Sequence, residues 1–304
     1  MALGSNQVTI TTAANFIPEI WSDEIIAAYK KNLVAANLFK KMSFVGKKGD
    51  TVHIPTPNRG TASAKSANTQ VNLIAATEGV TDILINNHYE YSRLIEDIVE
   101  AQALSSLRRF YTEDAGYALA KQVDTSLITL GRGFNSGAGT AAYANAYIGG
   151  DGTTAYTSGT PNMTALTDAA IRRTIQRLDD NDVPMEGRFF VIPPSSRNTL
   201  MGLARYTEQA FVGEQGGNNT IRNGEIGNLY GIPVFVSSNC DTATGAARIC
   251  LLGHRDAAVL VEQQGIRSQT QYKQEYLGTL YTADTIYGVG ELRDNACFAL
   301  AVPA

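Results

Sequence analysis

GKKGDTVHIPTPNRGTASAKSANTQVNLIAATEGVTDILINN, residues 46–87, constrains the fold of this 304-residue chain more than any other stretch. Thr51-Val52-His53-Ile54 alternates as a strand does, with successive side chains on opposite faces. Pro55 and Pro57 interrupt it. Asn58 to Thr77 is then polar and small, apart from Leu73 and Ile74, and Val80 to Ile85 reads as a returning strand. The pattern describes two arms joined by a tip of roughly twenty residues, and connections that long are uncommon inside compact domains. A hairpin that leaves its own domain and lies across another subunit accounts for the length.

After this loop, Glu96 to Leu130 reads as one long helix. Apolar residues step by three or four from Ile95 through Ile98, Ala101, Leu104, Leu107, Tyr111, Ala115, Leu119, Val123 and Leu127. Ser92 is placed to cap it, and Gly131 and Gly133 end it. At 1.5 Å per residue it would span about 50 Å. The steps are first threes and then fours, so different faces are buried along the length, as in a spine running between subdomains. A coiled coil needs a steady heptad and fits less well. Gly116, near the middle, is where a bend is expected.

Before the loop, Pro18 is placed to open a helix, because the first helical position needs no N–H donor. Trp21, Ile25, Tyr29 and Leu33 recur every four residues as one apolar stripe. Asp23 and Glu24 stand early and Lys30 and Lys31 late, as the helix dipole favours. The stripe packs either on its own domain or on a neighbouring subunit. The second choice makes Trp21, Ile25 and Tyr29 candidate intersubunit contacts, together with Arg59, Lys65, Asn68 and Gln70 on the extended loop.

Beyond the long helix, Arg132 to Thr160 is rich in Gly, Ala, Thr, Asn and Tyr and reads as a linker, a hairpin or a flexible insertion. Helix and strand then alternate. Thr164 to Asp180 is a helix, Arg188 to Ile192 a buried strand stopped by Pro193 and Pro194, and Ser195 to Arg205 a helix. Thr207 to Gly227 is a polar loop. Gly231 to Ser237, Arg248 to Gly253 and Ala257 to Glu262 are strands. Tyr272 to Val302 is β-rich, with Ala296, Phe298, Leu300 and Val302 alternating on one face of the last strand.

Hydrophobic residues make up 44% and charged residues 18%, a folding composition. Net charge is −4 and no basic stripe exists, which argues against tight or sequence-specific nucleic-acid binding. No stretch approaches the ~20 apolar residues of a membrane helix, and Met1 to Thr12 does not look like a signal peptide. Cys240, Cys250 and Cys297 have no metal spacing and read as buried thiols.

The search for chemistry finds no active-site constellation. His53, His88 and His254 are far apart and have only local polar neighbours. Asp179, Asp180 and Asp182 lack the glycine and distant glutamate of a calcium loop, and a helix end with a turn at Asn181 to Pro184 explains them. Gly131-Arg132-Gly133 and Gly137-Ala138-Gly139 follow a helix, whereas a phosphate loop follows a strand. The reading is a non-enzyme with no cofactor and no metal.

Several motifs carry a resemblance. They are Phe16-Ile17-Pro18-Glu19-Ile20-Trp21-Ser22, Gly49-Asp50-Thr51-Val52-His53-Ile54-Pro55, Leu178 to Pro184, Gly187 to Pro194, Gly231-Ile232-Pro233-Val234 and Gly278 to Asp284. In this order they resemble the major capsid proteins of tailed bacteriophages, with the Hong Kong phage-type capsid fold and a podovirus-like arm. The resemblance implies an α+β fold. Its parts would be an N-terminal arm (1–45), an extended β-hairpin loop (46–87), a peripheral domain with the spine helix (88–131), an inserted axial domain (132–270) and a return to the peripheral domain (271–304). It implies a structural subunit, assembled in a bacterial cytoplasm into pentamers and hexamers of a virion shell around double-stranded DNA. Contact with that DNA would be non-specific.

Implied partners are a portal protein, a decoration protein in some relatives, and a scaffolding protein. The scaffold is expected to be separate, because only a short polar stretch precedes Pro18 and Met1 reads as a genuine start. Lys47, Lys48, Lys65 and Asn295 match no cross-linking motif. An encapsulin-type shell of the same fold is the alternative, with an αβ enzyme further off.

Overall fold

The computed structural model describes residues 33–56, 60–71, 73, 78–97, 106–135, 143–203 and 227–304, with 106–109 by backbone alone. The described chain enters on a short helix α1 (Ala35–Leu38) and strand β1 (Lys40–Ser43). A hairpin of β2 (Thr51–Thr56) and β3 (Gly79–Leu84) follows, then β4 (Asn87–Glu96). Helix α2 (Ser106–Thr129) tightens into a 3-10 turn at Leu130–Arg132. Next come β5 (Tyr147–Ile148), α3 (Asp168–Asp180), β6 (Arg188–Ile192) and α4 (Pro194–Met201). The described chain closes with β7 (Asn228–Leu229), β8 (Ile232–Val236), β9 (Thr242–Ala243), β10 (Ala247–His254), β11 (Ala258–Lys273), β12 (Gly278–Glu291) and β13 (Cys297–Pro303).

A seven-stranded sheet in the order β5-β13-β10-β6-β8-β7, with β9 on β10, forms the αβ unit. Its inner strands are apolar on both sides, and the alternation along β13 sorts them. Phe298, Leu300 and Val302 join Ile171, Leu178, Phe190 and Leu252 under α3. Cys297, Ala299 and Ala301 join Leu127, Ile128, Phe189 and Leu251 against the end of α2. Both faces are therefore buried, and Ala296 belongs to the preceding 3-10 turn. Thr167 caps α3 by accepting from the Ala170 amide at 3.3 Å. At the other end of α3, Arg188 donates to the Pro184 carbonyl at 2.9 Å and pairs with Asp179 at 2.7 Å. Asp182 sits in the left-handed region at φ 55, so turn chemistry accounts for the acidic cluster.

The segment read as a linker or insertion is packed where it is described. Tyr143, Ala146 and Tyr156 are buried, and Tyr147–Ile148 runs parallel to β13. Residue 270 falls within β11, and β13 joins the seven-stranded sheet.

The second sheet is four-stranded, β1-β11-β12-β4, and its long strands make a ribbon. Here the structure corrects the helix boundary. Ser92, Ile95 and Glu96 are strand residues of β4, paired with Thr282, Thr279 and Gly278. In β4 the half-buried positions are Asn87, Tyr91 and Ile95, one in four, which mimics helical spacing. A continuous ladder to β12 overrides it. Helix α2 is described from Ser106 and spans about 36 Å at 1.5 Å per residue. Outside its own helix, no atom of the described residues lies within 4 Å of where a Gly116 side chain would start, so packing among them does not demand glycine there.

Candidate functional site

The structure offers a projecting surface. Strands β2 and β3 pair from Thr51↔Leu84 to Thr56↔Gly79. Past that ladder, residues 60–71 and 73 are exposed throughout. Ser66 to Thr69 make a turn in which Asn68 is left-handed at φ 61 and Thr69 Oγ1 donates to the Ser66 carbonyl at 2.7 Å. The structure thus brings Lys65, Asn68 and Gln70 together on one exposed turn. Trp21, Ile25, Tyr29 and Arg59 lie outside the described residues. Val71 and Leu73, at 64% and 90% exposure, put apolar surface on the same loop, and Val80 and Leu84 continue it along β3. Apolar side chains this open on a two-stranded hairpin favour a partner.

The hairpin is anchored at its base. Ile83 packs with Val259 and Val261 of β11, with Met42, Phe44, Val52 and Ile85 around them. The crossing is close enough to require glycine on β12. A Cβ at Gly288 would lie 2.5 Å from the Leu84 carbonyl oxygen, and one at Gly290 2.9 Å from Ile83 Cγ1. Gln263 adds a latch, its Nε2 donating to the Lys47 and Gly49 carbonyls at 3.0 Å each.

Three acidic side chains knit the body that carries the hairpin. Asp124 of α2 is fully buried, accepting from the Ala35 amide at 2.7 Å and from Asn239 Nδ2 at 2.9 Å. Asp241 accepts from Arg132 Nε at 2.8 Å, the Tyr143 hydroxyl at 2.6 Å and the Thr242 amide at 2.8 Å. Burial pulls the Asp241 carboxyl up, but the bonds from Arg132 and Tyr143 outweigh it and hold the group below its ordinary value. Burial, and after it the Asp241 charge, push the Tyr143 hydroxyl well up.

In the ribbon, Asp284 accepts from Arg267 Nε at 3.1 Å and from Gln264 Nε2 at 2.9 Å. The Arg267 bonds hold its carboxyl down against burial, with help from Gln264 and His88. A lowered carboxyl stabilises the fold above the ordinary carboxylate range near ~4, and that contribution is lost as pH falls through the folded value. Thermal melts from pH 7 down to pH 2 should therefore show a steeper acid loss for wild type than for Arg267→Met. Parallel curves for the two proteins would refute this assignment.

None of these acids stood out in the sequence. Their partners lie far along the chain, 89 and 115 residues for Asp124 and 109 for Asp241 with Arg132, so no local spacing marks them.

The histidines form no catalytic array. His53 pairs with Asp82 at 2.5 Å on the exposed hairpin, and His88 lies 3.5 Å from Asp284. His254 is buried, with Nδ1 accepting from the Asp256 amide and Nε2 left to donate to the Glu186 carbonyl. Among the described residues no cluster of three or more His, Cys, Asp or Glu could hold a metal ion, and no helix is long and apolar enough to cross a membrane. Cys240, Cys250 and Cys297 are buried. Burial pushes the Cys240 thiol up to about 12 and raises the other two as well.

Comparison with known proteins points the same way. The major capsid protein of Escherichia phage T5 is 23% identical over 253 residues, 81% of this chain and 53% of the relative. The chain thus spans about half the length of that curated relative. A solved structure from Mycobacterium phage Che8 superposes with a TM-score of 0.75 at 24% identity, over 94% of this chain and 97% of that one. The capsid structure of cyanophage P-SCSP1u gives 0.75 at 19% identity, over 99% and 96%. The mature capsid of bacteriophage PhiM1 gives 0.71 at 14%, over 94% and 92%. These likenesses establish the phage capsid fold. A family model described as phage capsid protein matches residues 89–297, from β4 and α2 through the αβ unit and the ribbon, and by that match the chain belongs to the phage capsid protein family.

Proposed function

We infer that this chain is a structural shell subunit, assembling with copies of itself into pentamers and hexamers of an icosahedral capsid around double-stranded DNA, and that it resides in the virion. The observation that carries the reading is the hairpin, anchored through Ile83 at its base and carrying open apolar side chains towards its tip. The seven-stranded unit is proposed as the axial domain and the ribbon with α2 as the peripheral domain. A separate scaffolding protein and a portal protein are proposed as assembly partners, and a decoration protein as a partner of the finished shell. These rest on the family alone. The role is structural, and no reaction is assigned.

Electron microscopy of the purified chain, alone and co-expressed with neighbouring phage genes, tests the reading. Uniform closed shells are expected on co-expression, with spirals, tubes or free capsomers from the chain alone. A lone subunit that never assembles under any of these conditions would overturn it. With a net charge of −4, soluble subunits should also bind DNA weakly and without regard to sequence. A tight, sequence-selective shift at ~150 mM salt, where screening is already strong, would contradict the shell role.

A further inference from the structure

The ribbon meets the αβ unit where β12 ends, and a carboxyl without a cation sits at that joint. Glu291 is the last residue of β12 and pairs with Ala258 at the start of β11. Its side chain turns onto Gly133, which closes the 3-10 turn that finishes α2. A Cβ on Gly133 would lie 2.0 Å from Glu291 Oε1 and 3.0 Å from its Cδ, so glycine is required there for the carboxyl to approach. At the end of a helix the last carbonyls lack amide partners and the dipole is negative, which disfavours a negative charge. Glu291 is half-buried and makes no ion pair and no side-chain hydrogen bond among the described residues.

The charged and titratable groups around the joint do not offset it. Arg132, next to Gly133, commits Nε and Nη2 to Asp241. Asp294, on the 3-10 turn after β12, adds a second negative charge, and Cys297 of β13 is a buried thiol. On the β11 side Ala258 carries no charge, and Asp256 before it lies 3.7 Å from His254 Nδ1. Arg293 is exposed. Burial first, and then the Asp294 charge, raise the Glu291 carboxyl above its ordinary value.

We propose that Glu291 is a proton-operated latch between the end of α2 and the ribbon, closed when its carboxyl is neutral and loosened when it is ionised. The neutral group has an O–H to donate to the carbonyls that the helix end leaves open. The ionised group sets a full negative charge against those carbonyls and against Asp294. The latch is a property of the single subunit and needs nothing from the shell reading. Its sense follows from linkage. A carboxyl raised in the folded state costs nothing while protonated, and the cost grows as pH rises from the ordinary range near ~4.3 through the folded value. The joint is therefore tight in acid and looser towards neutral and alkaline pH.

The test uses the full-length, unassembled protein. In wild type, the 13C resonance of the Glu291 carboxyl should titrate above the range of the exposed glutamates, and Asp294→Asn should move that midpoint towards acid. Hydrogen exchange reads the joint itself. Glu291→Gln keeps the shape without the charge. At pH 8 the amides of residues 130–135 should exchange about ten-fold more slowly in it than in wild type, and at pH 4 within about two-fold. A wild-type midpoint at or below that of the exposed glutamates would overturn the proposal. So would an exchange ratio that is the same at both pH values, the mark of a merely structural side chain. If Glu291→Gln does not fold, the wild-type midpoint and its shift in Asp294→Asn decide alone, and a midpoint that Asp294→Asn leaves in place counts against the latch.

Discussion

Replacing residues 59–77 with a short glycine linker is expected to leave the subunit folded and to abolish closed shells. Within that span, the residues whose placement is described, 60–71 and 73, are exposed and take no part in the subunit's own core. Circular dichroism and the melting temperature should stay close to wild type. Assembly should not. Burying one side chain such as Val71 or Leu73 on a partner is worth about 1.5–3 kcal/mol, so losing both weakens each contact by roughly 3–6 kcal/mol, or ~100-fold to 10,000-fold. Val71→Ser with Leu73→Ser at full loop length should give an intermediate loss of particles, separating apolar contact from mere reach. Normal particle yields from the deletion would show that the hairpin is not an intersubunit clamp.

Asp124→Ala should be among the most damaging single substitutions. It strands the buried Ala35 amide and one N–H of the Asn239 side chain, whose Nδ2 keeps only its 3.1 Å bond to Thr125 Oγ1. An unsatisfied buried donor costs about 1–3 kcal/mol, so a total near ~2–5 kcal/mol is expected. For a chain this size that lowers the melting temperature by roughly 3–8 °C. The loss should be felt first where residues 33–39 dock, including the edge-on contact of Phe39 with Phe189 at 5.0 Å. Asp124→Asn keeps one acceptor and should fall between the two. A melting temperature within ~2 °C of wild type for the alanine variant would remove Asp124 from the role given to it.

Parts of this architecture are legible in the sequence because their burial follows a period. Arg188 to Ile192 is apolar enough to read as a strand covered on both faces. Helix α3 shows its buried Ala170, Ile171 and Leu178 at helical spacing. The arms of the hairpin alternate. The ribbon is harder. Residues 265–272 of β11 are exposed on both faces and, apart from Gly265, Ile266 and Tyr272, polar, so neither alternation nor an apolar run marks them. Pairing with β12 alone makes them a strand. Strand β4 misleads in the opposite direction, its one-in-four burial borrowing the signature of a helix.

The candidate surface divides in the same way. Lys65, Asn68 and Gln70 could be picked out from a loop too long and too polar for a core. Gln263, Gly288 and Gly290 could not, because what makes them matter is a strand crossing above them. A carboxylate such as Asp124 looks in sequence like any acid on a helix surface.

The ribbon also sets the order in which a nascent chain can settle. Strands β1 and β4 leave the ribosome early, yet they pair with β11 and β12, roughly 180–220 residues further on, and such remote pairing is slow to form. The hairpin of β11 and β12 is local and can fold as soon as it emerges. It then serves as the template onto which the older strands dock. Strands β1 and β4, made before their partners, are thus among the last to be placed, and in the interval their open edges are segments in need of a chaperone.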